Sequence, residues 1–458
     1  MSDLPMPPPR FPESKFSTAR VEREDGVGCL LVSRTSGRRF FCPDGSPSLQ
    51  TQFGAVCKIF EAWGTDITQE EEDSLPDEHE DRNVEGSSIV IFDGRVFRYY
   101  PARPMALKTS HIDMLKLEAN YQQRELGELT GEDPLKEVAA LQLLQSHPNV
   151  EELEEAMTDG TNLYKVTPWY EGGELFDLAP MPEQSAKTVF AQLLDGLEFL
   201  HSSGVCHRDI SLENILMDIR MPDRSSASCR SSSVSSVGSC ISVASSAFSC
   251  DDHSISNSSR TNDNDNGSPR SCFGDATVVP NRGGESDEFT PSRREDHGGN
   301  SSGASQEQQA GEKAQANEGS SWIGRPRLCD FGMSVRIPRS KSGKRVPITP
   351  QGRCGKNTCV APEVFNDEVF DAEAIDTWSL GTTLFMALLG VQPWEEVGDY
   401  KFQAIAEGKN LEVVLEGWKI RHLLSQEAVD LLQLLLTADP VERLSDPKII
   451  LLHPWFTN

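Results

Sequence analysis

The 458-residue chain has little basic charge: 43 Lys+Arg stand against 71 Asp+Glu, a formal net charge of −28 with His neutral. That balance argues against broad, sequence-independent binding to nucleic acid or to an anionic membrane, since both are polyanions, and leaves only a local basic patch for such contacts. Its 11 cysteines form no CxxC pair and no zinc-ligand spacing with histidine, which argues against a disulfide framework or a zinc centre. Nowhere do 18 uncharged apolar residues run together, and MSDLPMPPPRFPES has neither the basic nor the apolar region of a secretory signal. A soluble chain of the cytoplasm or nucleus, with reduced thiols and no membrane or nucleic-acid partner, is the expectation.

What is present is unevenly distributed. Residues 61–85 hold 11 acidic side chains and one basic, Arg82, the composition of a solvated linker. Residues 219–324 form a second outlier, with 17 serines between Ser225 and Arg260, and are expected to be a disordered insert because they offer nothing to bury. Elsewhere the pattern is that of folded chain. Ala186, Val189, Phe190, Leu193, Leu194, Leu197 and Leu200 recur at helical spacing behind Pro182, and further helices are expected at 133–145, 376–389 and 425–437. Upstream, IVIF, RVFRYY and PMALKT read as strands, with a hairpin at Asp93-Gly94. Strands first and helices afterwards predict an α+β chain with a small β-rich lobe and a larger helical one. Residues 1–60 read as a poorly defined extension, with a hairpin around Ser36-Gly37 as its one signal.

Three words occur in order: His207-Arg208-Asp209-Ile210-Ser211-Leu212-Glu213-Asn214, Asp330-Phe331-Gly332 and Ala361-Pro362-Glu363. In this the chain resembles the protein kinase family, over roughly residues 86–457, and the resemblance also takes in HPNV at 147–150, DTWSLG at 376–381 and Arg443. It implies a bilobal protein kinase fold and a Ser/Thr kinase that uses ATP and Mg²⁺ to phosphorylate a protein hydroxyl. A pseudokinase scaffold is the alternative.

Phosphoryl transfer needs charge neutralisation and an in-line hydroxyl. The resemblance therefore implies Asp330 and Asn214 as magnesium ligands and Asp209 as the base that receives the hydroxyl proton. Lys108, in Met105-Ala106-Leu107-Lys108, becomes the phosphate-binding lysine and Glu137 its partner, with Lys58 in AVCKIF as a rival. Gly94 stands as the last glycine of a GxGxxG loop whose first two glycines are missing. The resemblance also implies Thr167 as gatekeeper, the Pro168 carbonyl and Tyr170 amide as partners for adenine, and Glu174 as a residue that would reach ribose or a basic substrate residue. Asp376 and Arg443, the latter paired with Glu363, are implied to be structural.

Most Ser/Thr kinases resemble HRDxKxxN and GTxxYxAPE, whereas Ser211 and Lys356 stand at those two positions here, so the lysine and the hydroxyl are exchanged. Lys356 is accordingly expected to supply charge to the transition state. Seven basic residues and no acidic one lie between Met333 and Val360, which suits a phosphate on Ser340, Ser342 or Thr349 placed there by an upstream kinase and received by Arg208.

Overall fold

The computed structural model describes residues 4–51, 54–68, 87–116, 132–219, 324–350 and 352–457. The expectations for 69–85 and 220–323 lie outside them.

The amino-terminal half is a nine-stranded sheet. Its strands are β1 (Ser17–Glu24), β2 (Gly28–Ser33), β3 (Arg39–Pro43), β4 (Ser48–Thr51), β5 (Gly54–Thr68), β6 (Ser88–Phe92), β7 (Arg95–His111), β8 (Glu155–Thr158) and β9 (Asn162–Pro168). They follow the order β4-β5-β3-β2-β1-β8-β9-β7-β6, and β5 also pairs with β7, so seven of the strands close into a ring. Closure leaves those seven strands without a free edge, with β4 and β6 as the outer strands. Every junction in the ring is antiparallel except β1 with β8, where Ser17 lies opposite Met157. At that junction the Glu155 carboxylate accepts hydrogen bonds from the hydroxyls of Ser17 (2.9 Å), Ser33 (3.1 Å) and Ser36 (3.2 Å). Leu31, Phe40, Ile59, Leu107, Met157, Tyr164 and Val166 fill one core of the sheet.

This topology corrects two expected boundaries. Residues 17–60 are not an extension: they supply β1 to β4 and the first half of β5 to the sheet that carries Lys108. Residues 61–68 continue β5 rather than opening a linker. Ahead of β1, the Met6 amide donates to the Pro347 carbonyl (3.1 Å) and the Ser14 hydroxyl to the Leu135 carbonyl (2.6 Å). The expected turn between β2 and β3 is present, closed by the Ser33 amide on the Arg38 carbonyl (2.9 Å).

Helix α1 (Pro134–Leu143) follows the first part of the sheet. Asp133 caps it, accepting from the amides of Leu135 (2.9 Å) and Lys136 (3.3 Å), and Pro134 sits at the first position, where no N–H is needed. Helix α2 (Glu183–Ser202) buries the apolar stripe read from its sequence. Helix α3 (Ala372–Leu389), capped by Asp371, is buried almost all round, and α4 (Gln426–Leu435) packs on it. Trp378, Trp394 and Phe402 cluster at the centre of this second core. Among the described residues no helix is long and apolar enough to cross a membrane.

Candidate active site

The HRD segment lies between two short strands, β10 (Val205–Cys206) and β11 (Ile215–Asp218), and the latter pairs with β12 (Arg325–Leu328), which delivers Asp330. Two residues here take left-handed backbone angles, Arg208 (φ 69°) and Asp330 (φ 64°). Such angles are costly for residues with a Cβ and persist only where the surroundings hold them. Asp376, fully buried on α3, does this for the first: its carboxylate accepts from the amides of His207 (2.9 Å) and Arg208 (2.8 Å), and His201 Nε2 lies 2.8 Å away. Arg443 and Glu363 form a buried two-bond pair at 2.7 and 2.9 Å, and the same guanidinium donates to the carbonyls of Thr437, Ala374 and Ala438.

The structure brings Asp209, Asn214, Asp330, Lys108 and Glu137 together. Asn214 Nδ2 donates to Asp209 Oδ2 (2.8 Å) and to the Asp209 carbonyl (2.8 Å), so the Asn214 side-chain oxygen is the atom that could hold a metal. Asp209 Oδ1 is buried and has no hydrogen-bond partner among the described residues. Burial, then the Asp330 carboxylate, pushes the Asp209 carboxyl above its ordinary value, against the opposing pull of His207 and Lys356. Lys108 Nζ lies 3.1 Å from Glu137, 2.8 Å from Glu132 and 3.8 Å from Asp330. Burial alone would lower this ammonium, but the surrounding carboxylates outweigh it and hold the group charged. Glu132, which precedes α1, is a site residue that sequence reasoning missed.

The rival lysine stands elsewhere. Lys58 Nζ meets Glu171 at 3.2 Å and lies over the Trp169 ring at 5.4 Å. Replacing Lys108 with Met is therefore expected to cost ~10²–10³ in phosphotransfer rate, the usual effect of removing one fixed charge from a reacting centre, while Lys58→Met keeps nearly all of it. Initial rates of the two purified variants check this, and the opposite ranking would reassign the lysine.

Gly94 is a correction. With Asp93 (φ 50°) and Gly94 (φ 68°) both left-handed, it forms the two-residue turn between β6 and β7. It lies fourteen residues along β7 from Lys108, roughly 45 Å of extended chain. The hairpin beside Lys108 is instead β4–β5, with Val56 opposite Lys108 and Gly54 opposite Ser110. A Cβ at Gly54 would stand 2.1 Å from the Thr109 carbonyl oxygen, so this strand crossing admits only glycine. Gly94 therefore does not lie beside Lys108, whereas Gly54 stands on the strand paired directly with it.

At the back of the cleft Thr167 is buried opposite Ala106, Pro168 lies opposite Met105, and the Trp169 amide donates to the Pro104 carbonyl (3.2 Å). The Tyr170 ring is buried beneath the Arg327 guanidinium. Burial, then Asp177 and Glu213, raises the Glu174 carboxyl. On the opposite wall Lys356 Nζ donates to Ser211 Oγ (3.1 Å) and pairs with Glu213 (2.7 Å). Helix α3 fixes that segment, with the Trp378 indole on the Val360 carbonyl (3.0 Å) and the Ser379 hydroxyl on the Cys359 carbonyl (2.8 Å). Gly355 (φ 84°) lets the chain pass so closely that a Cβ there would stand 3.3 Å from Asp209 Oδ1.

The sequence pattern of the family described as "Protein kinase domain" matches residues 103–236 and 317–456, more than half of the chain. Among curated proteins the chain is 24% identical over 328 residues to CBL-interacting serine/threonine-protein kinase 16 of Arabidopsis thaliana, covering 70% of this chain and 46% of that one. It is 23% identical over 371 residues to serine/threonine-protein kinase SAPK5 of Oryza sativa subsp. japonica, covering 78% and 70%. Over 86 residues it is 42% identical to CBL-interacting serine/threonine-protein kinase 15 of Arabidopsis thaliana, covering 18% and 20%. The chain thus spans about half the length of the first of these relatives. With the HRD, DFG and APE residues assembled around one cleft and a family match over both halves of the fold, this chain belongs to the protein kinase family.

Proposed function

We propose that the protein is an ATP- and Mg²⁺-dependent serine/threonine kinase acting on protein substrates. The observation that carries this reading is Asp209 Oδ1, a buried carboxylate oxygen without a hydrogen-bond partner among the described residues, beside a second carboxylate and a fixed ammonium. An unpaired buried acceptor is costly unless function uses it, and an incoming hydroxyl would satisfy it. The donor set fits the cofactor: Asp330 and Asn214 offer hard oxygen atoms of the kind magnesium takes alongside phosphate oxygens. Magnesium bound there would neutralise charge on the transferring phosphoryl group. Lys108, steadied by Glu137, would hold the nucleotide phosphates, and Asp209 would orient the substrate hydroxyl and take its proton. The relatives named as serine/threonine kinases support the choice of hydroxyl.

An upstream kinase acting on Ser340, Ser342 or Thr349 belongs to the same reading. Among the described residues Arg208 Nε and Nη2 are buried without hydrogen-bond partners, which suits a phosphate ligand. Two features favour the pseudokinase alternative: Gly54 is the one glycine in the stretch 48–60, and Glu132 occupies the Lys108 ammonium that phosphates would need. Incubation of the purified chain with [γ-³²P]ATP, Mg²⁺ and a peptide library decides between them. Label on Ser or Thr peptides is the expected result; no label despite ATP binding would establish the scaffold, and label on tyrosine alone would overturn the residue class.

A further inference from the structure

Strand β9 carries one charged residue in an otherwise apolar or neutral stretch, Asn-Leu-Tyr-Lys-Val-Thr-Pro, and that residue, Lys165, is buried. It lies directly opposite Lys108 in the antiparallel β7–β9 pair, so the two ammonium-bearing side chains share one face of the sheet. Like charges directly opposite one another destabilise a sheet, and a buried ammonium needs a paired counter-charge.

Glu137 of α1 resolves both problems by dividing its carboxylate, with Oε1 2.6 Å from Lys165 Nζ and Oε2 3.1 Å from Lys108 Nζ. Glu151 takes a second face of Lys165 at 3.0 Å. The backbone extends the arrangement: the Glu151 amide donates to the Leu328 carbonyl (2.8 Å) and the Leu328 amide to the Asn149 carbonyl (2.9 Å), on the strand that leads into Asp330. One buried cluster therefore joins β7, α1, β9 and the approach to the DFG segment. Burial pushes the Glu137 carboxyl up, but the two lysines outweigh it and hold it at about 2, and Lys165 stays charged for the converse reason.

We infer that Lys165, completed by Glu151, is a positioning residue for nucleotide binding: by holding one oxygen of Glu137 it orients the other toward Lys108 and keeps α1 seated on the sheet. The inference rests on the kinase reading above. A helix attached through Lys108 alone would share that ammonium with Glu132 and Asp330, both within reach of it. With Lys165 in place, Glu137 stays anchored while Lys108 turns to the phosphates.

The test removes the pair without leaving an unpaired buried charge. Lys165→Leu/Glu151→Leu replaces two ions by apolar side chains, a change that folded proteins commonly tolerate; Lys165→Met/Glu151→Gln serves where the leucines do not fold. Two quantities are read in the full chain: the affinity for ATP with Mg²⁺ by calorimetry, and amide exchange across 134–143. The expected result is roughly tenfold weaker ATP binding together with faster exchange in that helix, and no further loss of affinity when the same change is made on a Glu137→Gln background, because the effect travels through Glu137. Wild-type affinity and wild-type exchange in the double variant would overturn the inference. So would an equal additional loss on the Glu137→Gln background, which would make the pair a packing element only. A wild-type chain that binds no ATP would instead sink the kinase reading, and the exchange comparison would still decide whether Lys165 seats the helix.

Discussion

Asp209→Asn is expected to lower the rate of phosphotransfer to a protein substrate by ~10²–10⁴, the range that a positioned general base contributes. The substitution keeps shape and removes the capacity to take a proton. Asp209 Oδ2 is already committed to the Asn214 amide at 2.8 Å, so on the proposed reading Oδ1 would meet the hydroxyl, being the oxygen left without a partner among the described residues. Burial and the neighbouring Asp330 charge raise this carboxyl, which brings it closer to the value at which it receives and returns a proton readily. Affinity for ATP should stay within about twofold, since on the proposed reading Asp209 would meet the acceptor hydroxyl and Lys108 the nucleotide. Steady-state kinetics at saturating ATP, with nucleotide affinity measured separately, check both halves. Undiminished kcat in the Asp209→Asn enzyme would remove Asp209 from the chemistry.

Lys356→Ala is expected to reduce kcat about a hundredfold, equivalent to a charge contact of ~3 kcal/mol made mainly in the transition state, with little change in affinity for ATP. The exchange of residue types expected from the sequence corresponds to a contact: Lys356 Nζ donates to Ser211 Oγ at 3.1 Å, two residues after Asp209. The ammonium is half-exposed and also paired with Glu213 at 2.7 Å, so it has room to leave that carboxylate as charge develops on the transferring group. Its field already reaches Asp209, whose carboxyl it pulls downward. Because the lysine and the hydroxyl are neighbours, Ser211→Lys combined with Lys356→Thr should recover part of the lost rate. Wild-type kcat in Lys356→Ala on a protein substrate would return this lysine to the basic run of the loop.

Short-range features are legible in the amino-acid sequence alone. Helix α1 begins where Asp133-Pro134 signals a start, and α2 buries the stripe that its spacing displays. The HRD, DFG and APE words are each recognisable within a few residues. Legibility fails at the glycine turn and at the amino-terminal boundary, and for one reason. β5 pairs with β7 across the acidic run, and β1 pairs with β8 across more than 130 residues. Strand register over such separations is set by which faces are buried together, which no local window displays.

By itself, therefore, the sequence determined the chemistry available to this protein: two carboxylates, an amide and a set of lysines in the order that phosphoryl transfer uses. Tertiary structure alone decided which of them act together. It set Lys108, as read from the sequence, beside Glu137 and left Lys58 on Glu171, placed Gly54 rather than Gly94 on the strand paired beside Lys108, and set Lys165 opposite Lys108 with Glu137 between them. The physical reason is that a charge is defined by its neighbours at a few ångströms, while in a closed sheet those neighbours come from strands far apart in the chain.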